Sequence, residues 1–256
     1  IKVLLLIGFI KLSAQAEKLD HELQDPIKRE IRDTVSLINQ NFENDIKDQI
    51  VPNGPSNEIS GCVFKNIVTT KSGMNNFIKV EGPLSFYNNV IESDELLSKQ
   101  PGLMWYNTNS KLSIVNCSFI KHNTQSSTDA HILTIDGDNN PSVIFESCKF
   151  IDCSNSATKT LIKLGNTECT INFTDCLITF NEPSKSCKII TGVNPNVIFD
   201  RCNIHNPGQN AIHLNMNSAT LKGQFKFTNN VVKTVKKKFC RDYTKFSIYR
   251  NERQHV

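Results

Sequence analysis

The stretch VIFESCKF at residues 143–150 decides the fold, because variants of it recur along the chain. In this stretch an apolar pair, Val143 and Phe145, lies five and three residues before Cys148, and Phe150 follows two residues after the cysteine. The same frame reads LSIVNCSF at 112–119, INFTDCLI at 171–178 and VIFDRCNI at 197–204. Asparagine replaces the cysteine in LSFYNNVI at 84–91 and FKFTNNVV at 225–232, and ISGCVF at 59–64 is a partial first copy.

The copies recur with a nearly constant period. Successive Cys or Asn positions are separated by 27, 28, 31, 28, 26 and 28 residues. These positions are Cys62, Asn89, Cys117, Cys148, Cys176, Cys202 and Asn230. The alternating apolar pair indicates a β-strand, and the break in alternation at the Cys or Asn indicates a corner that leads into a second strand. Such a period is typical of repeat folds whose units bury their apolar faces only by stacking.

Each repeat also holds a third apolar segment, such as 77–80 or 161–164, followed by a turn rich in Gly and Asn. Three short strands and three turns per repeat predict an all-β fold, a single parallel β-helix of about seven coils. Leucine-rich repeats have a similar period but need a Leu-x-x-Leu-x-Leu frame, which is missing. The core is expected to contain Phe86, Ile114, Phe145, Phe173, Phe199 and Phe227.

These residues resemble the right-handed parallel β-helix superfamily, the pectate-lyase-like fold. The segments Phe86-Tyr-Asn-Asn89 and Phe227-Thr-Asn-Asn230 are similar to the F-x-x-N repeats of polymorphic outer-membrane proteins, and the remaining copies place Cys where that motif has Asn. The G-G-A-I motif and the C-terminal barrel of the bacterial family are missing. The resemblance covers residues 59–232 and implies the fold and its hand, but no activity.

Stacked coils would bring the Cys and Asn positions together in one inward column, or structural ladder. One interpretation is a column of small buried thiols, since free Cys packs as a compact hydrophobe. Disulfides between adjacent coils are the alternative, although the strand spacing is wide for the Cβ atoms of a bridge. No paired C-x-x-C motif indicates a metal site.

The two ends of the chain differ from the repeats. Residues 1–16 predict a signal peptide, because an apolar run after Lys2 ends in the small residues Ala14 and Ala16; a buried N-terminal strand is the alternative. No other segment predicts a transmembrane helix. Residues 17–58 are expected to cap the solenoid with a helix that starts near Pro26. A competing interpretation places Val35–Phe42 in the repeat frame, with Gln40 at the Cys position.

The C-terminal segment, residues 233–256, carries eight basic and two acidic residues, a net charge of +6. Aromatic residues spaced through it, from Phe239 to Tyr249, predict a cap over the last coil. The alternative is a tail that binds anionic glycans or lipid headgroups at a membrane surface. The chain as a whole has a net charge of +4, which is too weak to indicate a nucleic-acid binder.

The sequence predicts a secreted or cell-surface protein, so the sequons at Asn116 and Asn172 are candidate glycosylation acceptors. Enzymatic motifs of the β-helix hydrolases and lyases are missing. The weak catalytic candidates are Asp136, Asp138, Asp175, Asp200 and Arg201, for which an exposed ion pair between Asp175 and Arg201 is the plainer interpretation. We expect no cofactor and no metal.

The expected function is structural or adhesive. Long polar faces on a solenoid suit repeated weak contacts with extracellular glycans or surface proteins. The alternative is a carbohydrate-active enzyme, a polysaccharide lyase or glycoside hydrolase of the same fold.

Overall fold

The chain forms a parallel β-solenoid with three sheets. The structure, a computed structural model, describes residues 34–45, 47–69, 74–94, 100–123, 131–136, 141–153, 160–166, 169–181, 188–193, 195–207, 211–215, 224–233 and 240–241. All the strand pairs in it are parallel, and each strand, except those at the ends of the sheets, pairs with strands of the preceding and following coils. No helix occurs among these residues.

Two of the sheets have eight strands and the third has seven. Sheet 1 consists of β1 (Ser36–Ile38), β3 (Asn57–Ser60), β6 (Leu84–Tyr87), β9 (Lys111–Val115), β12 (Ser142–Glu146), β15 (Thr170–Thr174), β18 (Asn196–Asp200) and β21 (Gln224–Thr228). Sheet 2 consists of β2 (Asn41–Asp45), β4 (Val63–Val68), β7 (Val90–Glu92), β10 (Ser118–Ile120), β13 (Lys149–Ile151), β16 (Leu177–Thr179), β19 (Asn203–His205) and β22 (Val231–Lys233). Sheet 3 consists of β5 (Asn76–Val80), β8 (Gly102–Tyr106), β11 (Leu133–Ile135), β14 (Thr160–Asn166), β17 (Lys188–Val193), β20 (Ile212–Asn215) and β23 (Cys240–Arg241).

The core is built from rows of like residues stacked along the solenoid. In sheet 1, Phe145, Phe173 and Phe199 pair in register and are fully buried, with ring centroids 5.0 and 4.4 Å apart. In sheet 2, Phe119 stacks on Phe150 with a centroid distance of 4.9 Å. Of the six expected core residues, only the terminal one, Phe227, is less than fully buried. Parallel in-register stacking places identical positions side by side, so continuous apolar rows on the sheets close the core.

The corner between sheets 1 and 2 requires a left-handed backbone in every coil. The residue before each Cys or Asn position has a positive φ, between 51° and 63° for the five from Gly61 to Asp175. Those residues are Gly61, Asn88, Asn116, Ser147 and Asp175. Asn and Gly tolerate this conformation best, whereas other residues adopt it at a cost in backbone energy. This left-handed conformation breaks the alternation of inward and outward side chains. The Cys or Asn that follows it therefore points into the core.

Two features of the predicted architecture are corrected by the structure. The end of the expected helical cap instead forms β1 and β2, as in the competing interpretation, because Leu37 and Phe42 pair in register with Ile59 and Phe64. The backbone therefore satisfies its hydrogen bonds in the sheet rather than in a helical turn. The proposed helix start at Pro26 lies outside the described residues.

The number of complete coils also differs from the prediction of about seven. Five coils are complete, from β6 to β20. In each of them, all three strands pair with a strand on both sides. The turns at the two ends are incomplete. At the first turn, the described residues extend sheet 3 beyond β5 by a single bridge, between Ile50 and Ile78. At the other end, β23 has two residues.

Candidate functional site

The structural ladder lies at the corner between sheets 1 and 2. Strand register on either side of the corner aligns Gln40, Cys62, Asn89, Cys117, Cys148, Cys176, Cys202 and Asn230. All five cysteines of this column and Asn89 are buried, whereas Gln40 and Asn230 at its ends are partly exposed. We refer to these eight residues as the corner column.

Asparagine in the corner column binds the backbone of the preceding coil at two points. Oδ1 of Asn89 accepts the N–H of Cys62 at 2.8 Å, and its Nδ2 donates to the carbonyl of Ile59 at 2.8 Å. Asn230 repeats the arrangement with Cys202 and Phe199 at 2.7 and 2.9 Å. Each amide therefore satisfies both a donor and an acceptor of a corner that water does not reach freely.

Cysteine in the same column is placed to donate to carbonyls. Sγ of Cys148 lies 3.4 Å from the carbonyl oxygens of Ile114 and Glu146, and Sγ of Cys176 lies 3.5 and 3.3 Å from those of Phe145 and Thr174. The thiols of the column are not bridged. Hydrogen bonding with the thiol of the preceding coil, together with burial, raises the pKa of Cys148 and Cys176 to about 12 each. Both remain protonated near neutral pH and are poor nucleophiles and poor metal ligands in that form.

A second buried polar cluster lies at the corner that follows sheet 2. Nε2 of Gln100 donates to Oγ of Ser93 at 2.6 Å and lies 3.1 Å from Nδ1 of His122. Oε1 of Gln100 accepts the N–H of Asn123 at 3.2 Å. Burial lowers the pKa of His122 to about 4, and burial raises the pKa of Cys153 on the next coil to about 12. Both groups are uncharged near neutral pH, so they do not form a thiolate–imidazolium pair.

Those catalytic candidates that the structure describes do not form a catalytic carboxylate pair. Arg201 contacts Asp175 through Nε and Nη2 at 2.8 and 2.9 Å and also contacts Asp200, all at the exposed side of the corner. The bidentate Arg201 contact lowers the pKa of Asp175, whereas a general acid needs a raised pKa. Asp136 is exposed and follows β11 in sheet 3, away from this corner. Asp138 lies outside the described residues.

The two sequons occupy different environments. Asn116 is exposed at a corner, with a left-handed φ of 51°, and its Nδ2 donates to Oδ1 of Asn88 at 2.8 Å. Asn172 lies in the middle of β15, in register between Ile144 and Ile198, and its Oδ1 is buried. An attached glycan at Asn116 would project from the corner, whereas one at Asn172 would have to leave from the middle of sheet 1.

The outward surface of sheet 3 carries a row of polar and aromatic side chains. The register places Lys79, Trp105, Thr134, Lys163, Thr191 and His213 side by side, and we call these residues the tryptophan row. All of them except the buried Thr134 are partly exposed. The flanking positions in each strand, such as Met104 and Tyr106, are buried in the core.

Charge and aromatic surface meet at one end of the tryptophan row. Nζ of Lys79 lies 5.3 Å from the ring centroid of Trp105, within the range of a cation–π contact. The same ammonium forms an ion pair of 2.5 Å with Glu81. The indole is therefore held by its neighbours while part of its surface remains accessible, which is the condition for stacking a flat or apolar ligand face.

Sequence reasoning identified the segment that contains Trp105 as a strand but did not single out the tryptophan row. The signal was present in the alternation of Met104, Trp105 and Tyr106, which places the single tryptophan of the chain opposite two core positions. The row itself depends on the register across six strands, which the sequence of sheet 3 does not specify as clearly as that of sheet 1.

Comparisons with other proteins do not assign the chain to a family. No protein-family model, curated protein or solved structure matches it. Within the described ranges, no group of three or more His, Cys, Asp or Glu side chains is arranged to hold a metal ion. A search of the same ranges for a helix of sufficient length and apolar character to cross a membrane found none.

Proposed function

We propose that the protein is a non-catalytic scaffold, secreted or displayed at a cell surface, that binds glycan chains along the tryptophan row. The observation that carries this proposal is the partly exposed Trp105 on an outward row that also holds Lys79, Lys163 and His213. An indole face stacks on the apolar face of a sugar ring, and Lys, Thr and His supply hydrogen bonds to hydroxyl or carboxylate groups.

The geometry of the solenoid supports a chain-like ligand. Successive positions of the row repeat at the strand spacing of about 4.8 Å, so a linear polymer aligned with the solenoid axis would meet a partly exposed polar or aromatic side chain on most coils. Each such contact is weak, and several contacts in series provide avidity. Lateral binding of this kind needs no cofactor and no buried catalytic group.

The proposal also includes the extracellular setting and the relation to known folds. The apolar N-terminal sequence supports secretion, and the sequon at the exposed Asn116 is consistent with it. Three-sheet parallel coils support membership of the pectate-lyase-like superfamily, with repeats similar to those of polymorphic outer-membrane proteins. A right-handed winding is the hand expected for parallel crossovers.

The single tryptophan makes the test direct, because selectively excited tryptophan fluorescence reports on Trp105 alone. Neutral and acidic oligosaccharides are titrated into the full chain, and we expect a saturable change in emission. Lys163→Ala should weaken binding, whereas Lys149→Ala, which removes an exposed lysine from sheet 2, should not. Calorimetry on Trp105→Ala should show the loss of binding. Equal affinities of the Trp105→Ala variant and the unaltered chain would refute the proposal.

A further inference from the structure

Among the described residues, no strand pairs with the outer edge of either terminal strand of sheet 2. β2 and β22 are its terminal strands, and nearly all their residues are exposed, with Phe42 and Val232 partly buried. The two exposed large hydrophobic residues of the described chain also lie at the ends of the solenoid, Ile38 in β1 of sheet 1 and Val231 in β22 of sheet 2, 48% and 47% exposed. Unpaired edges with exposed apolar residues are templates for pairing with another strand.

The two edges are complementary in register. One row of sheet 2 runs through Glu43, Lys65, Glu92, Ile120, Ile151, Thr179, His205 and Lys233. It therefore begins with an exposed carboxylate and ends with an exposed ammonium. The neighbouring inward row begins at Phe42 and ends at Val232, so both ends also offer an apolar side chain.

We propose that copies of this protein stack head to tail, with β22 of one molecule pairing in parallel with β2 of the next. In the register of the solenoid, this contact places Lys233 beside Glu43 of the second copy and Val232 beside its Phe42. Gln40 of the second copy continues the corner column after Asn230, at the position from which Asn89 and Asn230 bind the preceding coil. The contact joins two different surfaces, so its repetition builds an open filament rather than a closed dimer.

A second copy explains the paired charges better than a cap formed by the same chain. Within one molecule Glu43 and Lys233 are seven strand spacings apart, about 34 Å at about 4.8 Å per spacing. This distance exceeds the screening length of about 8 Å at physiological salt, so the two charges do not interact within a monomer. At the first coil the inward residues Val35 and Leu37 of sheet 1 are buried, whereas Phe42 of sheet 2 is partly exposed.

The test uses charge reversal in the full chain, followed by sedimentation velocity over a range of concentrations. Glu43→Lys and Lys233→Glu should each weaken self-association about tenfold or more, because each brings like charges together at every contact. The double variant should regain association. An equimolar mixture of the two single variants should also assemble, since each contact then pairs opposite charges again.

The matched control is Lys149→Glu, which reverses an exposed charge in the middle of sheet 2 and should leave association unchanged. Circular dichroism confirms that each variant is folded. A chain that remains monomeric at every concentration, with its ends covered by its own N-terminal or C-terminal segments, overturns the proposal. A double variant or mixture as weak as the single variants also overturns it. Loss of glycan binding in Trp105→Ala without a change in sedimentation would separate this contact from the proposed function.

Discussion

Arg201 and Cys202 are neighbours at one corner, yet they face opposite sides of the solenoid wall. The Cys202 thiol is buried and lies 3.5 Å from the carbonyl of Phe173 on the preceding coil. Arg201 has a left-handed φ of 53° and an exposed side chain that pairs with Asp175. The inward position is constrained by size and hydrogen bonding in every coil, whereas the outward position is constrained mainly by its backbone angle.

This difference explains the pattern of residues along the corner. Inward positions hold mainly Cys or Asn, which are similar in size and can bind a backbone carbonyl. The outward position accommodates Gly, Asn, Ser, Asp and Arg, because solvent accepts any side chain there. The free energy of unfolding should therefore depend strongly on the inward rows of residues and little on the ion pairs at the outer surface.

The largest effect is expected for the inward aromatic row. Phe173→Ala should lower the free energy of unfolding by about 3–5 kcal/mol, because the ring is fully buried between Phe145 and Phe199. The adjacent outward residue provides the control, since Thr174→Ala should change stability by about 0.5 kcal/mol or less. Urea denaturation of both variants measures the difference. A loss below about 1 kcal/mol for Phe173→Ala would be inconsistent with a closed core.

A buried and a partly exposed histidine extend the comparison to pH. Burial lowers the pKa of His122 to about 4 from 6.5, so the folded state binds its proton less readily than the unfolded state. Its contribution to stability is present above pH 6.5 and is lost as the pH falls towards 4, by about 3 kcal/mol in total. Denaturation curves at several pH values should show this loss in the wild type and a smaller loss in His122→Gln.

The control for this prediction is His205→Gln, which alters a partly exposed histidine of sheet 2. Parallel curves for all three proteins would show that protonation of His122 does not oppose folding. Because carboxylates also titrate in this range, only the difference between the curves is interpreted.

Within the corner column, asparagine should contribute more than cysteine. Asn89→Ala leaves the N–H of Cys62 and the carbonyl of Ile59 without their amide partner and should cost about 2–3 kcal/mol. Cys148→Ala removes one small buried group and should cost about 1 kcal/mol. Thermal denaturation of the two variants ranks them. The reverse order would mean that packing of sulfur, rather than hydrogen bonding to the backbone, dominates the column.

The sequence predicted the parallel solenoid because the sheet 1 and sheet 2 rows repeat with fixed spacing. It predicted the first coil only as a competing interpretation, since Val35, Ile38 and Phe42 fit a helical period as well as the strand frame. Pairing of Leu37 with Ile59 decides between them, and that contact is not local. Tertiary pairing therefore overrode a local periodicity that favoured a helix.

The candidate sites were less predictable than the fold. Asp175 and Arg201 were correctly expected to pair, because the repeat places them at one position of successive coils. The tryptophan row could not be derived in the same way, because turns of unequal length precede the strands of sheet 3. The buried cluster around His122 and Gln100 joins residues 22 apart in the chain, with no repeating motif to indicate it.

The smallest effect is expected at the outward position of the corner. Arg201→Ala removes the pair with Asp175 but keeps the left-handed backbone, so its stability should be nearly that of the wild type, and high salt should erase any difference. Arg201→Gly should melt about 2–4 °C above Arg201→Ala, because glycine adopts a positive φ without a clash of Cβ. A large loss of stability in both variants would show that the ion pair, rather than the backbone angle, stabilises this corner. The outward residues would then also be determinants of the stability of the fold.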